Sequence, residues 1–195
     1  MAADLPEGYV EIGRWDLGQV QRRVIVLLFV LSLIAMVVTA NVAIAIRYLA
    51  TGVSSISLDL GSMALGLVGG LVLHELAHGV AFMGLGARPQ FGAKLKTRFG
   101  PVFYASGPGS YLSRRGYVVV GLAPALGLTV LLLAVIAVAP AGGLIGSAAF
   151  LAAILNVGGS AGDAMMMRTV LTYRADARFE DTADGFVIYG PTPAG

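Results

Sequence analysis

Four long stretches of the chain are almost entirely apolar, at residues 24–46, 60–86, 116–139 and 144–171. A helix of about 20 apolar residues crosses the roughly 30 Å hydrocarbon layer of a membrane, and each stretch is at least that long. The first stretch is also longer than the roughly 7–15 residues of a signal-peptide core, so we expect it to remain as a span. The pattern predicts an all-α membrane protein with about four transmembrane helices, folded as a single membrane-embedded domain over residues 1–195.

The polar connections between these stretches differ in charge. The connection at 87–115 carries six basic residues and no acidic residue, whereas the other two connections carry one basic residue, Arg47. Short cytoplasmic loops hold the excess of lysine and arginine in membrane proteins. We therefore expect the 87–115 loop to be cytoplasmic, together with the N-terminal segment and the 172–195 tail. The chain is predicted to be a multi-pass protein of the cell membrane with both termini in the cytoplasm.

Short β-prone pieces lie in the polar segments. Residues 91–104 alternate in polarity around Gly100-Pro101, which predicts a short cytoplasmic β-hairpin or loop insertion. In the tail, Asp184-Gly185 separates two β-prone pieces and indicates a hairpin turn. The N-terminal "YVEIGRWDL" is typical of a membrane interface, with its aromatic side chains near the lipid headgroups.

Composition supports a membrane protein and narrows its chemistry. Hydrophobic residues make up 57% of the chain and charged residues 12%, whereas charged residues are about a quarter of an ordinary soluble domain. The chain has no cysteine, which excludes disulfides and thiolate metal ligands. Its formal net charge of +2, with no basic patch interleaved with aromatic residues, gives no indication of nucleic-acid binding.

The second apolar stretch contains the sequence "HELAH", with both histidines of the chain, His74 and His78, four residues apart. On a helix, this spacing separates them by about 40° in azimuth and about 6 Å in rise, so both imidazoles can reach one metal ion. Glu75 then lies beside the metal, where it can act as general base for a bound water. The alternative is that the histidines are satisfied by hydrogen bonds to neighbouring helices. This would explain a single polar residue in an apolar stretch better than it explains two histidines and a glutamate together.

Asp163 is the other ionisable residue deep in a predicted span, and catalytic zinc normally has three protein ligands. His78 lies eight residues before the end of the second span at 86, and Asp163 lies eight residues before the end of the fourth span at 171. Both are therefore about 12 Å inside the same membrane face. We predict Asp163 as the third ligand.

Asn156 lies seven residues before Asp163, two helical turns away on the same face. Its amide could orient a metal ligand, polarise a substrate carbonyl, or hydrogen-bond between helices. Gly158, Gly159 and Gly162 lie between the two residues and permit close helix packing or local unwinding.

The motifs "HELAHG", "GSAGD" and "DGFVIYGP" resemble a small family of zincin-type membrane peptidases, related to the site-2 protease class of intramembrane zinc metalloproteases. The resemblance extends over most of the chain from about Leu60 onward. It implies that His74, His78 and Asp163 bind one zinc ion and that Glu75 is the catalytic base. The site-2 class usually has a proline between the asparagine and the aspartate and a glycine after the aspartate, whereas this chain has no such proline and has Ala164 after Asp163.

These observations predict a zinc-dependent intramembrane metalloprotease that hydrolyses peptide bonds of membrane-associated proteins or peptides near the cytoplasmic face. The expected partners are such a substrate and the lipid bilayer. The 91–104 segment either holds the substrate by strand addition or is a solvated loop. The alternative function is that of a non-proteolytic zinc-binding membrane protein, either a sensor, a transporter or a scaffold, and other divalent metals accept the same donors.

Overall fold

The structure is a computed structural model that describes residues 4–16, 18, 20–95, 102–140, 142–183 and 185–192. Most of the described residues are helical. Four helical runs among them are long and apolar enough to cross a membrane. This confirms the prediction of four long apolar helices.

The first two runs are single helices, and the last two are interrupted. The first two are α1 (Arg22–Thr51) and α2 (Leu60–Gly84). The third run consists of α3 (Arg114–Leu122), a π-helix (Ala123–Leu128) and α4 (Thr129–Val138). The fourth consists of α5 (Leu144–Gly159) and α6 (Ala161–Thr172), with Ser160 between them.

The interruption of the third run coincides with Pro124, which has no backbone N–H and cannot continue the α-helical bonding pattern. The wider π-helical turn accommodates the proline without ending the helix.

A two-stranded antiparallel sheet lies in the 87–115 loop, where the sequence predicts a hairpin. Its strands are β2 (Gln90–Lys94) and β3 (Val102–Ser106), paired from Gln90 with Ser106 to Lys94 with Val102. The predicted break at Gly100-Pro101 lies outside the described residues.

A second antiparallel sheet among the described residues has four strands, which are β1 (Tyr9–Asp16), β4 (Tyr111–Ser113), β5 (Arg178–Thr182) and β6 (Gly185–Pro191). Their order in the sheet is β1, β6, β5 and β4. The strands β5 and β6 pair as the tail hairpin predicts, although Asp184 itself lies outside the described residues. For the described residues, the all-α class is therefore corrected to a mostly helical fold with two small antiparallel sheets.

The sequence does not predict β1, because its partner strand is distant in the chain. Tyr9 pairs with Pro191 and Asp16 pairs with Gly185, at opposite ends of the sequence. The strand carries both aromatic and charged residues, a mixture that also fits a membrane interface. Because the pairing is non-local, the local sequence pattern does not distinguish a β-strand from an interfacial segment.

The chain divides into two compact units. The sheet unit contains the described residues of Met1–Ile25, His78–Leu122 and Asp163–Gly195, and the helical unit contains those of Val26–Ala77 and Ala123–Gly162. The boundary passes through the continuous helix α2, between Ala77 and His78.

The core of the sheet unit is aromatic. Tyr117, Phe179 and Phe186 are each at most 3% exposed and pack with ring centroids 5.3 to 5.7 Å apart. The hydroxyl of Tyr117 donates a 2.5 Å hydrogen bond to the carboxylate of Asp181 within this core.

Within the helical unit, glycines on α2 let this helix approach α5 closely. A Cβ at Gly66 would lie 2.7 Å from the carbonyl oxygen of Ala148, and one at Gly70 would lie 3.1 Å from the Cα of Ala152. Small residues at such contacts are typical of helices that pack in membranes. The glycines therefore fix how α2, which carries the "HELAH" motif, lies against its neighbour in this unit.

Candidate metal centre

His74 and His78 lie one turn apart on α2, as the sequence predicts. His78 is buried, with 9% of its surface exposed, and His74 is half-buried. Because the helix is continuous from Leu60 to Gly84, the two imidazoles are held at a fixed spacing by the backbone of one element.

The Nδ1 atom of His78 lies 3.0 Å from the carbonyl oxygen of Val120. A carbonyl oxygen can only accept, so Nδ1 carries the hydrogen of the neutral ring and donates it. The lone pair of the ring is then on Nε2, which lies 3.4 Å from Oδ1 of Asp163.

His74 is oriented by an amide instead of a backbone carbonyl. Its Nδ1 lies 2.8 Å from Oδ1 of Asn156. The Nδ2 of Asn156 donates to the carbonyl oxygen of Pro124 at 2.8 Å and to Oγ1 of Thr129 at 2.9 Å. Since the Pro124 carbonyl can only accept, the amide orientation is fixed, and Nδ1 of His74 is the donor to Asn156. His74 therefore also carries its lone pair on Nε2.

Asp163 lies in the first turn of α6, just after the helix break at Ser160. Its side chain is 17% exposed. The break in the fourth run therefore places the carboxylate in the first turn of the second helix of that run.

One ligand atom from each of His74, His78 and Asp163 lies within 4.8 Å of the other two. Ligand atoms about 2.1 Å from a tetrahedral zinc are about 3.4 Å apart, the separation between Nε2 of His78 and Oδ1 of Asp163. Two imidazoles with Nε2 lone pairs and one carboxylate are a donor set that zinc accepts, with a fourth position left for water. The residues present therefore fit a zinc ion.

Glu75 follows His74 on α2 and is half-buried. Its position directly beside a ligand is the one that the general base of a His-Glu-x-x-His helix takes. The catalytic role of Glu75, like the ligand roles of the other three residues, stays a prediction.

Asn156 is 2% exposed, and its amide hydrogens are directed at Pro124 and Thr129. Polarising a substrate carbonyl would require one of those hydrogens. Of the three roles that the sequence leaves open, the hydrogen bonds fit two, orientation of His74 and hydrogen bonding between helices.

The two histidines are held through bonds to Val120 and, by way of Asn156, to Pro124 and Thr129, none of which the sequence singles out. The apolar run "GLAPALGLTVLLL" does contain a proline and a threonine, which could have indicated these residues. Proline interrupts helical hydrogen bonding, and the threonine is the one polar side chain in that run.

The model of one protein family, DUF3267, described as "Putative zincin peptidase", matches residues 67–178. The match extends over more than half of the chain. The chain belongs to this family. Comparison with curated proteins gives no match. Comparison with solved structures also gives no match.

The matched region of this zincin family member includes His74, Glu75, His78, Asn156 and Asp163. Membership implies zinc as the metal. The group of His74, His78 and Asp163 is one that could bind it.

Proposed function

We propose that this zincin family member is a zinc-dependent intramembrane metalloprotease of the site-2 protease type, which hydrolyses peptide bonds of membrane-associated proteins or peptides near the cytoplasmic face. The observation that carries the proposal is the grouping of His74, His78 and Asp163 within 4.8 Å, beside Glu75, on helices apolar enough to span a membrane. Histidine and carboxylate side chains are unfavourable in a membrane unless they are paired, coordinated or facing a polar cavity.

The surface of α1 supports a location in the bilayer. Phe29 is 64% exposed, Val37 is 62% exposed and Leu27 is 57% exposed, all on a helix long and apolar enough to cross a membrane. A helix so apolar on its exposed side is stabilised by lipid and not by water. The bilayer is therefore proposed as a partner of the chain.

The four-stranded sheet supports the proposed topology. It joins β1 of the N-terminal segment, β4 of the loop between the second and third runs, and β5 and β6 of the tail. Segments that hydrogen-bond to one another lie on the same side of a membrane. The excess of lysine and arginine in the loop favours the cytoplasmic side for all three.

When bound, a zinc ion supplies Lewis acidity that activates a water and polarises the scissile carbonyl. His74, His78 and Asp163 would hold the ion. Glu75 accepts a proton from the attacking water and then donates it to the leaving amine. The amide of Asn156 keeps Nδ1 of His74 protonated through both steps.

A helical substrate buries its peptide groups, so cleavage requires a locally extended segment. The strands β2 and β3 form a sheet of only two strands among the described residues, so each has an outer edge. Strand addition at such an edge is a known way of holding an extended peptide, and it remains part of the proposal for this loop.

The experiment that tests this function combines metal analysis with cleavage. Wild type, His74→Ala and Asp163→Ala are purified in detergent and analysed for zinc, and each is assayed on single-span membrane substrates. We expect stoichiometric zinc and cleavage in wild type and loss of both in the variants. The exchange Asp176→Asn, at an exposed aspartate outside the spans, is the matched control.

Zinc that survives Asp163→Ala at the wild-type stoichiometry would remove Asp163 from the ligand set. Stoichiometric zinc in wild type without cleavage of any substrate would overturn the protease and favour the non-proteolytic alternative, a zinc sensor, transporter or scaffold.

A further inference from the structure

Pro124 leaves one backbone carbonyl without its usual helical donor. In an α-helix, the carbonyl of Val120 would accept a hydrogen bond from the N–H of residue 124, and proline has no N–H. The oxygen of that carbonyl lies 3.0 Å from Nδ1 of His78. The missing helical donor is thus replaced by the imidazole of a predicted zinc ligand.

The carbonyl of Pro124 itself acts on the other histidine. It accepts the 2.8 Å hydrogen bond from Nδ2 of Asn156, whose Oδ1 lies 2.8 Å from Nδ1 of His74. An amide turned by 180° would place its oxygen against the Pro124 oxygen, and two acceptors repel each other. The Pro124 carbonyl therefore sets which end of Asn156 faces His74.

Thr129 completes the environment of the amide. Its Oγ1 accepts the second Nδ2 hydrogen at 2.9 Å. Asn156 is 2% exposed, so an amide hydrogen without a partner there would be unfavourable. Because both Nδ2 hydrogens are bonded, rotation of the Asn156 amide would break these hydrogen bonds.

The direction of the amide matters for the metal. If the amide turned, Nδ2 would face Nδ1 of His74, and that nitrogen would have to accept. The ring hydrogen would then be on Nε2, where it blocks coordination. Hydrogen bonds that fix the tautomer of a ligating histidine are worth about 10–100-fold in metal affinity in other metal sites.

We propose that Pro124 and Thr129 are positioning residues, which hold the imidazoles of His74 and His78 as Nδ1–H tautomers with Nε2 directed to the metal. Neither residue contacts the metal or the substrate. The inference rests on the proposed function only in taking the histidines as zinc ligands.

The chain has two histidines, so a protein labelled with nitrogen-15 in histidine reports both rings without overlap from others. The variants are Thr129→Val, which removes the hydroxyl at constant shape, Thr129→Ser, which keeps it, and Pro124→Ala, which restores the N–H. The control is Thr39→Val, at a buried threonine on α1 of the same unit. Zinc affinity is measured by competition with a chelator, and the tautomers by nitrogen-15 NMR in detergent at alkaline pH.

Thr129→Val is expected to weaken zinc binding about 10-fold or more and to redistribute the His74 nitrogen signals toward the Nε2–H form. Thr129→Ser and Thr39→Val are expected to bind zinc within about 2-fold of wild type. Pro124→Ala keeps the backbone carbonyl of residue 124 and restores its N–H, so it is expected to alter the His78 signals. Should Pro124→Ala fail to fold, the comparison of Thr129→Val with Thr129→Ser decides the question.

Wild-type zinc affinity and unchanged histidine signals in Thr129→Val would overturn the inference. Zinc affinity and the histidine signals are both independent of proteolysis. A protein that binds zinc but cleaves no substrate can therefore confirm the inference while the proposed function fails. If wild type binds no zinc, the tautomers of the metal-free protein decide, because the same redistribution is expected there.

Discussion

The side-chain oxygen of Asn156 lies 2.8 Å from Nδ1 of His74, and the nitrogen of the same amide donates to two groups on the third helical run. One buried amide thus connects a predicted zinc ligand to the π-helix and to the start of α4. The arrangement orients the imidazole without using a charged group, which suits an apolar environment.

Asn156→Leu removes this connection and keeps the number and branching of the side-chain heavy atoms. We expect zinc affinity to fall by about 10–100-fold, because the His74 tautomer and ring orientation are no longer fixed. Competition between the protein and a chelator measures the effect. Asn41→Leu is the matched control, since Asn41 lies exposed on α1 and donates to Val37 within its own helix. Equal affinities in the two variants would contradict the role of Asn156.

The close contact of α2 with α5 gives a prediction about stability. A Cβ at Gly66 would lie 2.7 Å from the Ala148 carbonyl oxygen, whereas one at Gly69 would meet only the end of the Leu65 side chain, at 3.9 Å. Gly66→Ala should therefore destabilise the protein by about 1–3 kcal/mol through overpacking. Gly69→Ala should be neutral or stabilise it by up to about 1 kcal/mol. Thermal unfolding of both variants in the same detergent measures the difference, and similar midpoints would show that the helices do not approach so closely.

The sheet unit gives a prediction about pH. Glu180 accepts hydrogen bonds from the backbone N–H of Gly109 and from the hydroxyl of Tyr189, both at 2.8 Å. Burial raises the pKa of Tyr189 from its ordinary value of 10.0 to about 12, and the hydrogen bond to Glu180 adds to the shift.

A raised phenol pKa means that the folded protein favours the neutral hydroxyl. The stability that this provides is fully present below about pH 10 and is lost as the pH rises through about 12. We expect the stability difference between wild type and Tyr189→Phe to shrink over this range, as measured by denaturant unfolding at several pH values. Tyr48→Phe, at an exposed tyrosine on α1, is the control. A difference that stays constant from pH 9 to pH 12 would argue against the shift.

The sequence predicts the four helical runs well, because each is an apolar stretch long enough for a membrane-spanning helix. It also predicts the residues that the candidate centre brings together. The spacing of His74 and His78 on one helix is local, and Asp163 stands out as a lone acid in an apolar run. Patterns of this kind are visible without a structure.

The parts that the sequence does not predict depend on non-local contacts. The pairing of β1 with β6 joins the two ends of the chain, and the pattern of β1 alone fits an interfacial segment equally well. Arg47 is similar: the sequence places it in a connection, whereas α1 extends to Thr51 and the guanidinium is buried, donating to the carbonyl oxygen of Ile136 at 3.3 Å. The sequence shows Pro124, which leaves the Val120 carbonyl without a helical donor. It does not show that His78 bonds to that carbonyl.

The most direct test of zinc-dependent proteolysis by Glu75 compares wild type with Glu75→Gln in proteoliposomes containing a single-span substrate. Zinc content and cleavage are measured in the same samples, with Glu11→Gln, on the exposed face of β1, as the control. We predict that all three proteins retain stoichiometric zinc and that cleavage by Glu75→Gln falls by about 100-fold or more, because the general base is lost. Cleavage by zinc-loaded Glu75→Gln at the wild-type rate would contradict the proposed mechanism.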